Sequence, residues 1–356
     1  MGSFNVSSNH PLLANGTAES PIISAYQGRK PSHKPVWFMR QAGRSLPEYH
    51  KVRKGVAMLD ACLQPELAAE ITMQPVRRHN VDAAIFFSDI VTPLKLAGVN
   101  VDIVPGVGPV IENPVKTASD IKKLPNIDAV DFSKIQDAIK IITKELGNKP
   151  LIGFAGAPFT VAAYLVEGKS SRDHLAPRTM MHADSKSWSA LSTWMAELSG
   201  AFLQAQIEAG ASAVQLFDSW AGALGVEDYE KFVAPASTIT FNSVAGYAVP
   251  KVHFGTGTSE LLGAMKNCGA DVMGVDYRLP LREANKRLGG TTPLQGNIDP
   301  AFLATGKEAL FAHTAEVIKQ GKAAPGHVVN LGHGVPPNTD PQLITELVAF
   351  IHEQEV

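Results

Sequence analysis

A chain of 356 residues, 45% hydrophobic and 19% charged, can bury a large core, which excludes intrinsic disorder over most of its length. A formal net charge of -2 at pH 7 excludes the broad basic face that a nucleic-acid backbone requires, so any polyanionic ligand must meet a few cations gathered in one place. No apolar run approaches the roughly 18 residues of a membrane span, so no membrane partner is expected.

Residues 1–32 are polar and rich in Ser and Asn, with Arg29 and Lys30 only at the end. They lack both a basic-then-apolar signal peptide and an Arg-rich transit peptide, so a partly disordered tail and a cytoplasmic location are expected. Beyond it, short apolar runs alternate with helical periodicity. Strands are expected at Val36–Phe38 and Ala83–Phe87, with a helix over Leu67–Arg78 between them. The Gly- and Pro-rich stretch Leu96–Asn113 reads as an extended loop. A helix over Ile135–Leu146, a strand at Leu151–Phe154, a long helix over Ser185–Glu208 and a strand at Ala213–Phe217 follow. Then come a helix over Tyr229–Ala245, strands at Lys251–Phe254 and Asp271–Val275, and a helix over Leu281–Leu288. The strand Pro293–Gln295, the helix Lys307–Lys319, the strand Val328–Leu331 and the helix Gln342–His352 complete the pattern.

Eight near-continuous apolar strands separated by helices argue for a parallel sheet covered by helices. With no linker to divide residues 33–356, the expected fold is a single-domain α/β (β/α)₈ TIM barrel. Its active-site cleft is expected at the C-terminal ends of the strands. The residues following each apolar run are Arg40, Ser88-Asp89, Gly156 to Pro158, Asp218-Ser219, Gly255-Thr256, Asp276, Asn297 and Gly332-His333. Asp, Asn, Ser and Gly are also ordinary cap and turn residues, whereas Arg40 and His333 are harder to explain as caps.

The densest gathering of cation and glycine is Arg40-Gln41-Ala42-Gly43-Arg44. Two guanidiniums four apart, a glycine that lets the backbone approach and an amide suit capture of carboxylate or phosphate. The competing explanation is an i, i+4 pair on a helix surface, which Gly43 and Pro47 weaken. Arg53 is a weaker third candidate. Asp89 ends a strand, where it serves either as a helix cap, as an ion-pair partner of Arg40 or Arg44, or as an acceptor for ligand N–H groups or a developing cation.

Other signals fail. Gly168-Lys169-Ser170 lacks the upstream glycine of a P-loop, because position 163 is Ala, and Gly255-Thr256-Gly257 lacks the third glycine of a dinucleotide fingerprint. Ser219 is not flanked by the glycines of a nucleophile elbow. Cys62 and Cys268 lie far apart and read as buried thiols. Without HExxH, and with no cysteine in His253-Phe254-Gly255, no metal site is expected, and the eleven histidines look scattered. The four tryptophans read mostly as packing residues.

The stretch Trp37-Phe38-Met39-Arg40-Gln41-Ala42-Gly43-Arg44-Ser45-Leu46-Pro47-Glu48-Tyr49 closely resembles the N-terminal motif of the uroporphyrinogen decarboxylases. The segment Gly153 to Thr160 running to Gly168 is similar to that family's other characteristic stretch. Phe87-Ser88-Asp89-Ile90, Phe217-Asp218-Ser219 and Asn330-Leu331-Gly332-His333-Gly334 occur in the family's order. The resemblance implies a (β/α)₈ barrel, a homodimer and a place in haem and tetrapyrrole biosynthesis. The implied reaction is cofactor-independent loss of carbon dioxide from the four acetates of uroporphyrinogen, giving coproporphyrinogen. It further implies Asp89 and Arg40 as catalytic residues, with Asp89 accepting pyrrole N–H groups. Arg40, Gln41, Ala42, Gly43, Arg44, Phe154, Tyr164, Ser219 and His333 would contact the substrate. A zinc-dependent methyltransferase shares such a barrel but needs His and Cys ligands, and a non-catalytic tetrapyrrole carrier would use the same cleft without turnover.

Overall fold

Runs of β-branched and aromatic residues with little polar alternation become strands covered on both faces. In the computed structural model, which describes residues 6–356, nine strands form. These are β1 (Ala84–Ile85), β2 (Val101–Val104), β3 (Gly108–Ile111), β4 (Leu151–Gly156), β5 (Ala213–Asp218), β6 (Lys251–Gly255), β7 (Val272–Gly274), β8 (Leu294–Gln295) and β9 (His327–Val328). Seven of them make one parallel sheet in the order β1-β4-β5-β6-β7-β8-β9. Register is fixed by pairs such as Ile85 with Ile152, Phe154 with Gln215, Phe217 with Phe254 and Gln295 with Val328.

The sheet curls. Gln295 on β8 donates through Nε2 to Gln215 Oε1 on β5 at 2.9 Å, although two strands separate them in the sheet order. The two side chains can meet only if the sheet bends round so that its inner face encloses them. Its edges also approach one segment: Val36 forms a parallel bridge with Val329, and the Asp82 N–H just before β1 donates to the Val36 carbonyl at 2.9 Å. The expected strand Val36–Phe38 is thus a single bridge, because Pro35 has no N–H to donate and the chain turns at Arg40.

The expected helices form over Pro65–His79, Ser133–Leu146, Ser185–Ala209, Leu281–Arg287, Lys307–Gly321 and Pro341–His352. The expected helix over Tyr229–Ala245 is instead two, Val226–Phe232 and Ala234–Ser243. Pro235 offers no N–H to the Lys231 carbonyl and its ring would crowd it, so the first helix stops and a new one begins. The expected loop Leu96–Asn113 contains the antiparallel hairpin β2–β3, turned at Gly106 with φ 78°.

A further correction concerns the expected tail. Residues 1–5 lie outside the described residues, but Pro11–Ala14 and Pro21–Tyr26 are helical, and Ile22, Ile23 and Tyr26 are buried. Polar composition hid two short apolar faces. Ser20 caps the second helix by accepting from the Ile23 N–H. This helix abuts the entry to β9, where a side chain on Gly326 would strike the Ala25 carbonyl. Tyr26 donates to Gln295 Oε1 and accepts from Trp37 Nε1 at 3.0 Å, so the helix seals the N-terminal end of the curled sheet. Both cysteines are buried and unpaired. Among the described residues, no helix is long and apolar enough to cross a membrane.

Candidate active site

At the opposite end of the sheet, the loop after Val36 turns sharply. The Gln41 N–H returns to the Phe38 carbonyl at 3.0 Å, and Arg40 takes a left-handed φ of 61°. For a residue with a side chain this costs about 1–2 kcal/mol, so the surroundings must impose it. They do: Asn330 Oδ1 accepts the Met39 N–H at 3.0 Å, and the Val335 N–H donates to the Met39 carbonyl at 2.9 Å. The Arg40 stem then lies so close over Gly334 that a Cβ there would sit 2.4 Å from Arg40 Cδ. Gly334 is what makes room for the guanidinium's approach.

Arg40 keeps an accessible head while being surrounded by protein, as expected in a deep cleft open to water. Burial, then the neighbouring Arg44, lowers its pKa, while Asp89 and Tyr164 oppose the shift. Asp89 follows β1 at the bottom of the same cleft. Its Oδ1 accepts the Val91 N–H at 3.0 Å, and its own N–H donates to Thr92 Oγ1 at 3.1 Å. Its other carboxylate oxygen has no hydrogen-bond partner among the described residues, and no ion pair joins Asp89 to Arg40 or Arg44. The turn-building explanation for Asp89 therefore accounts for one oxygen, and the ion-pair explanation is overturned. Burial raises the Asp89 pKa, against the opposing pull of the Val91 N–H and Arg40.

Tyr164, on the helix Pro158–Glu167, faces the same charges. Burial first, then the Asp89 carboxylate, pushes its hydroxyl up to about 12. Its ring lies against Trp220 at 3.9 Å between centroids, and Trp220 stacks in turn on His174 at 4.3 Å. Trp220 packs, as expected, and its place between Tyr164 and His174 makes a three-ring wall beside Ser219. The Ser219 carbonyl accepts from Thr256 Oγ1, which ties the β5 and β6 loops together. Phe154 packs edge-on against Phe217 at 5.4 Å, and Phe217 against Phe254 at 6.0 Å, giving the cleft an aromatic side. His333 is exposed at the mouth; burial and the charges of Arg40 and Arg278 lower its pKa.

Gln41 is the clearest correction at the site. Its Oε1 accepts the Phe38 N–H at 2.9 Å and its Nε2 donates to the Ala83 carbonyl at 3.0 Å, so the amide expected to meet an anion braces the loop. Ala42 is half-buried, and Gly43, at φ 144°, turns the backbone toward the exposed Arg44. Three further strand-end residues, all buried, brace the loops beneath the rim. Asp218 accepts from Thr160 Oγ1 at 2.8 Å, Asn297 Nδ2 donates to the Asp276 and Leu279 carbonyls, and Asp276 accepts from the Gly257 N–H and from Arg278. Arg278 is the cation that the sequence reading missed. Only its pairing with Asp276 and its half-exposed position reveal a third guanidinium at the mouth. Arg53, by contrast, bonds the Val56 carbonyl and lies over the Tyr49 ring. A shallow depression of about 510 Å³ on the outer helix, lined by Ser185, Lys186, Trp194 and Glu197, shares no residue with this cleft.

The chain that carries this constellation has relatives among known proteins. Residues 17–354 match the family described as uroporphyrinogen decarboxylase (URO-D). The chain belongs to this family. Uroporphyrinogen decarboxylase of Arthrobacter sp. (strain FB24) is 67% identical over 336 residues, covering 94% of this chain and 97% of that protein. Uroporphyrinogen decarboxylase of Streptomyces avermitilis is 56% identical over 338 residues, covering 95% of each. Among solved structures, a methyltransferase from Methanosarcina mazei superposes with a TM-score of 0.76 at 20% identity over 94% of this chain and 97% of that one. That likeness is one of fold. The uroporphyrinogen decarboxylase family membership agrees with the motif resemblance read from the sequence.

Proposed function

We propose that this cleft decarboxylates the four acetate side chains of uroporphyrinogen to methyl groups, releasing four carbon dioxide molecules and coproporphyrinogen, in haem and tetrapyrrole biosynthesis. The observation that carries the reading is Asp89, a half-buried carboxylate in the cleft whose single accepted hydrogen bond among the described residues, from the Val91 N–H, engages one oxygen. Such a group calls for N–H donors or positive charge from the ligand, and the pyrrole N–H groups of a domed tetrapyrrole supply both in turn. Arg40, Arg44 and Arg278 form the complementary rim for the substrate's carboxylates.

In the reaction, a proton first adds to a pyrrole ring carbon and makes the ring a cation. The bond between the acetate methylene and its carboxylate then breaks, carbon dioxide leaves, and the electron pair forms an exocyclic double bond that neutralises the ring. A second proton adds to that methylene carbon, the ring carbon returns its proton, and a methyl group remains. Each cycle consumes one proton overall. Asp89 favours the step in which the ring is cationic more than the neutral ground state, which is the differential stabilisation that lowers a barrier. Arg40 holds a carboxylate and organises the local proton donor; its own high pKa makes it a poor acid. Tyr164, Ser219 and His333 hydrogen-bond the side-chain carboxylates as the substrate turns, the main chain of Gln41, Ala42 and Gly43 lines the rim, and Phe154 packs on the macrocycle.

The same reading takes residues 33–356, with the two N-terminal helices packed onto them, as one domain in which the segment around Val36 closes the curled sheet into a (β/α)₈ barrel. Its support is the bond from Asp82 on one side and the bridge to Val329 on the other. A cytoplasmic homodimer accords with the family resemblance. The test is anaerobic incubation of purified protein with chemically reduced uroporphyrinogen, then oxidation and separation of products by carboxylate number. Stepwise passage from eight carboxylates to four is expected. Bound but unchanged substrate would leave a carrier and overturn the assignment.

A further inference from the structure

At the end of the sheet opposite the cleft, three residues distant in sequence converge where the segment before Val36 and the C-terminal helix meet the sheet. His33 lies just before Val36, Asp82 just before β1, and His352 at the end of the helix Pro341–His352. His33 Nε2 is 2.8 Å from Asp82 Oδ1, and His352 Nε2 is 2.9 Å from Asp82 Oδ2. One ligand atom from each lies within 4.8 Å of the others. Asp82 is buried, with Oδ2 also accepting the Val36 N–H at 2.8 Å, while the two imidazoles remain partly open to water.

From this juxtaposition we propose that His33, Asp82 and His352 bind a divalent cation of the zinc class at the seam between the segment before Val36, the C-terminal helix and the sheet. Two imidazole nitrogens and a carboxylate suit zinc and similar borderline metals better than magnesium or calcium, which favour all-oxygen sets. Three protein ligands with water in the fourth position make a common zinc arrangement. Each imidazole nitrogen is already within 2.9 Å of an Asp82 oxygen and the whole set spans no more than 4.8 Å, so binding requires the rings to exchange their hydrogen bonds to Asp82 for a shared metal and to close up around it. His33 is oriented for this: its other nitrogen, Nδ1, lies 3.2 Å from Ser32 Oγ, the outer hydrogen bond that fixes a ligating imidazole. Lys149 is the opposing charge nearby. Its ammonium is held by the Asn80 side chain at 2.7 Å and the Val81 carbonyl at 2.8 Å, which keeps it engaged beside the site. Because the ligands come from residues 33, 82 and 352, the metal would staple the first segment, the β1 entry and the C-terminal helix, and would stabilise the native state by mass action.

The test uses the full chain, freed of metal with a chelator and dialysed. Zn²⁺ titrated into it by calorimetry should bind at one site and raise the melting temperature, with Mg²⁺ having no such effect. His33→Gln and His352→Gln should each weaken that binding about tenfold or more and abolish the thermal shift, leaving decarboxylation unchanged. Should either substitution prevent folding, Co²⁺ added to the wild-type chain must give the intense visible bands of a four- or five-coordinate ion. Zn²⁺ binding and melting shifts that are identical in wild type and both variants overturn the proposal. So does a wild-type chain that takes up no Zn²⁺, or one in which Co²⁺ gives only the weak spectrum of its hydrated ion.

Discussion

The two ends of the curled sheet carry similar amounts of polar chemistry and use it in opposite ways. At the N-terminal end, Trp37, Tyr26, Gln295 and Gln215 hydrogen-bond one another in a closed chain under the helix Pro21–Tyr26. At the C-terminal end, Asp89 keeps a carboxylate oxygen open, Arg44 and His333 are exposed, and the Ser219 hydroxyl has no partner among the described residues. A polar group satisfied within the protein contributes to specificity of the fold; one left open at the bottom of a cleft is a place for a ligand. The floor of this molecule is therefore structural and its mouth functional, although side-chain types alone do not distinguish them.

The sharpest way to break the contrast is Asp89→Asn. It keeps the Val91 turn through the amide oxygen but removes the charge facing the substrate, so turnover should fall by about 10²–10³ with an unchanged melting temperature. A fully active, folded variant would remove Asp89 from the chemistry. In wild type, the raised Asp89 pKa predicts that kcat/KM declines on the acid side at a pH above the ordinary aspartate range, as the carboxylate becomes protonated.

Buried histidines outside the cleft should respond to pH through stability instead. Burial lowers both His327 and His79 to about 4 from the ordinary 6.5. The unfolded chain therefore takes up protons that the native state refuses, so stability present above pH 6.5 is lost as pH falls toward 4. Each histidine steepens that loss by up to about 1.4 kcal/mol per pH unit. Denaturant melts of wild type and His327→Gln over this range should show the shallower dependence in the variant; parallel curves would contradict the assignment.

A smaller effect is expected from Gly334→Ala, because the added methyl displaces the Arg40 stem. Roughly tenfold lower kcat/KM, about 1.4 kcal/mol, should accompany near-normal folding, measured by steady-state assay beside a thermal melt. The smallest is Tyr26→Phe. It removes the hydroxyl between Trp37 and Gln295, and since Trp37 Nε1 also reaches Gln295 Oε1 at 3.2 Å, about 1 kcal/mol of stability should be lost. Activity per folded molecule should stay the same; a selective loss of activity would mean the floor is coupled to the cleft.

The sequence by itself determined the alternation of strand and helix, the single apolar core and the Arg40–Arg44 motif, because these depend on local periodicity and on residue types within a few positions. It also singled out Asp89 and His333 at strand ends. Only the tertiary structure decided which of these groups are free. Gln41 is tied to Ala83, Arg278 is held at the mouth by Asp276, Trp220 stacks between Tyr164 and His174, and the polar-looking N-terminal segment supplies Tyr26 to the floor. The meeting of His33, Asp82 and His352 was likewise invisible, since gaps of 49 and 270 residues leave no spacing to read. Local sequence sets which conformations a segment favours, but whether a polar atom is satisfied depends on partners that folding brings from elsewhere in the chain.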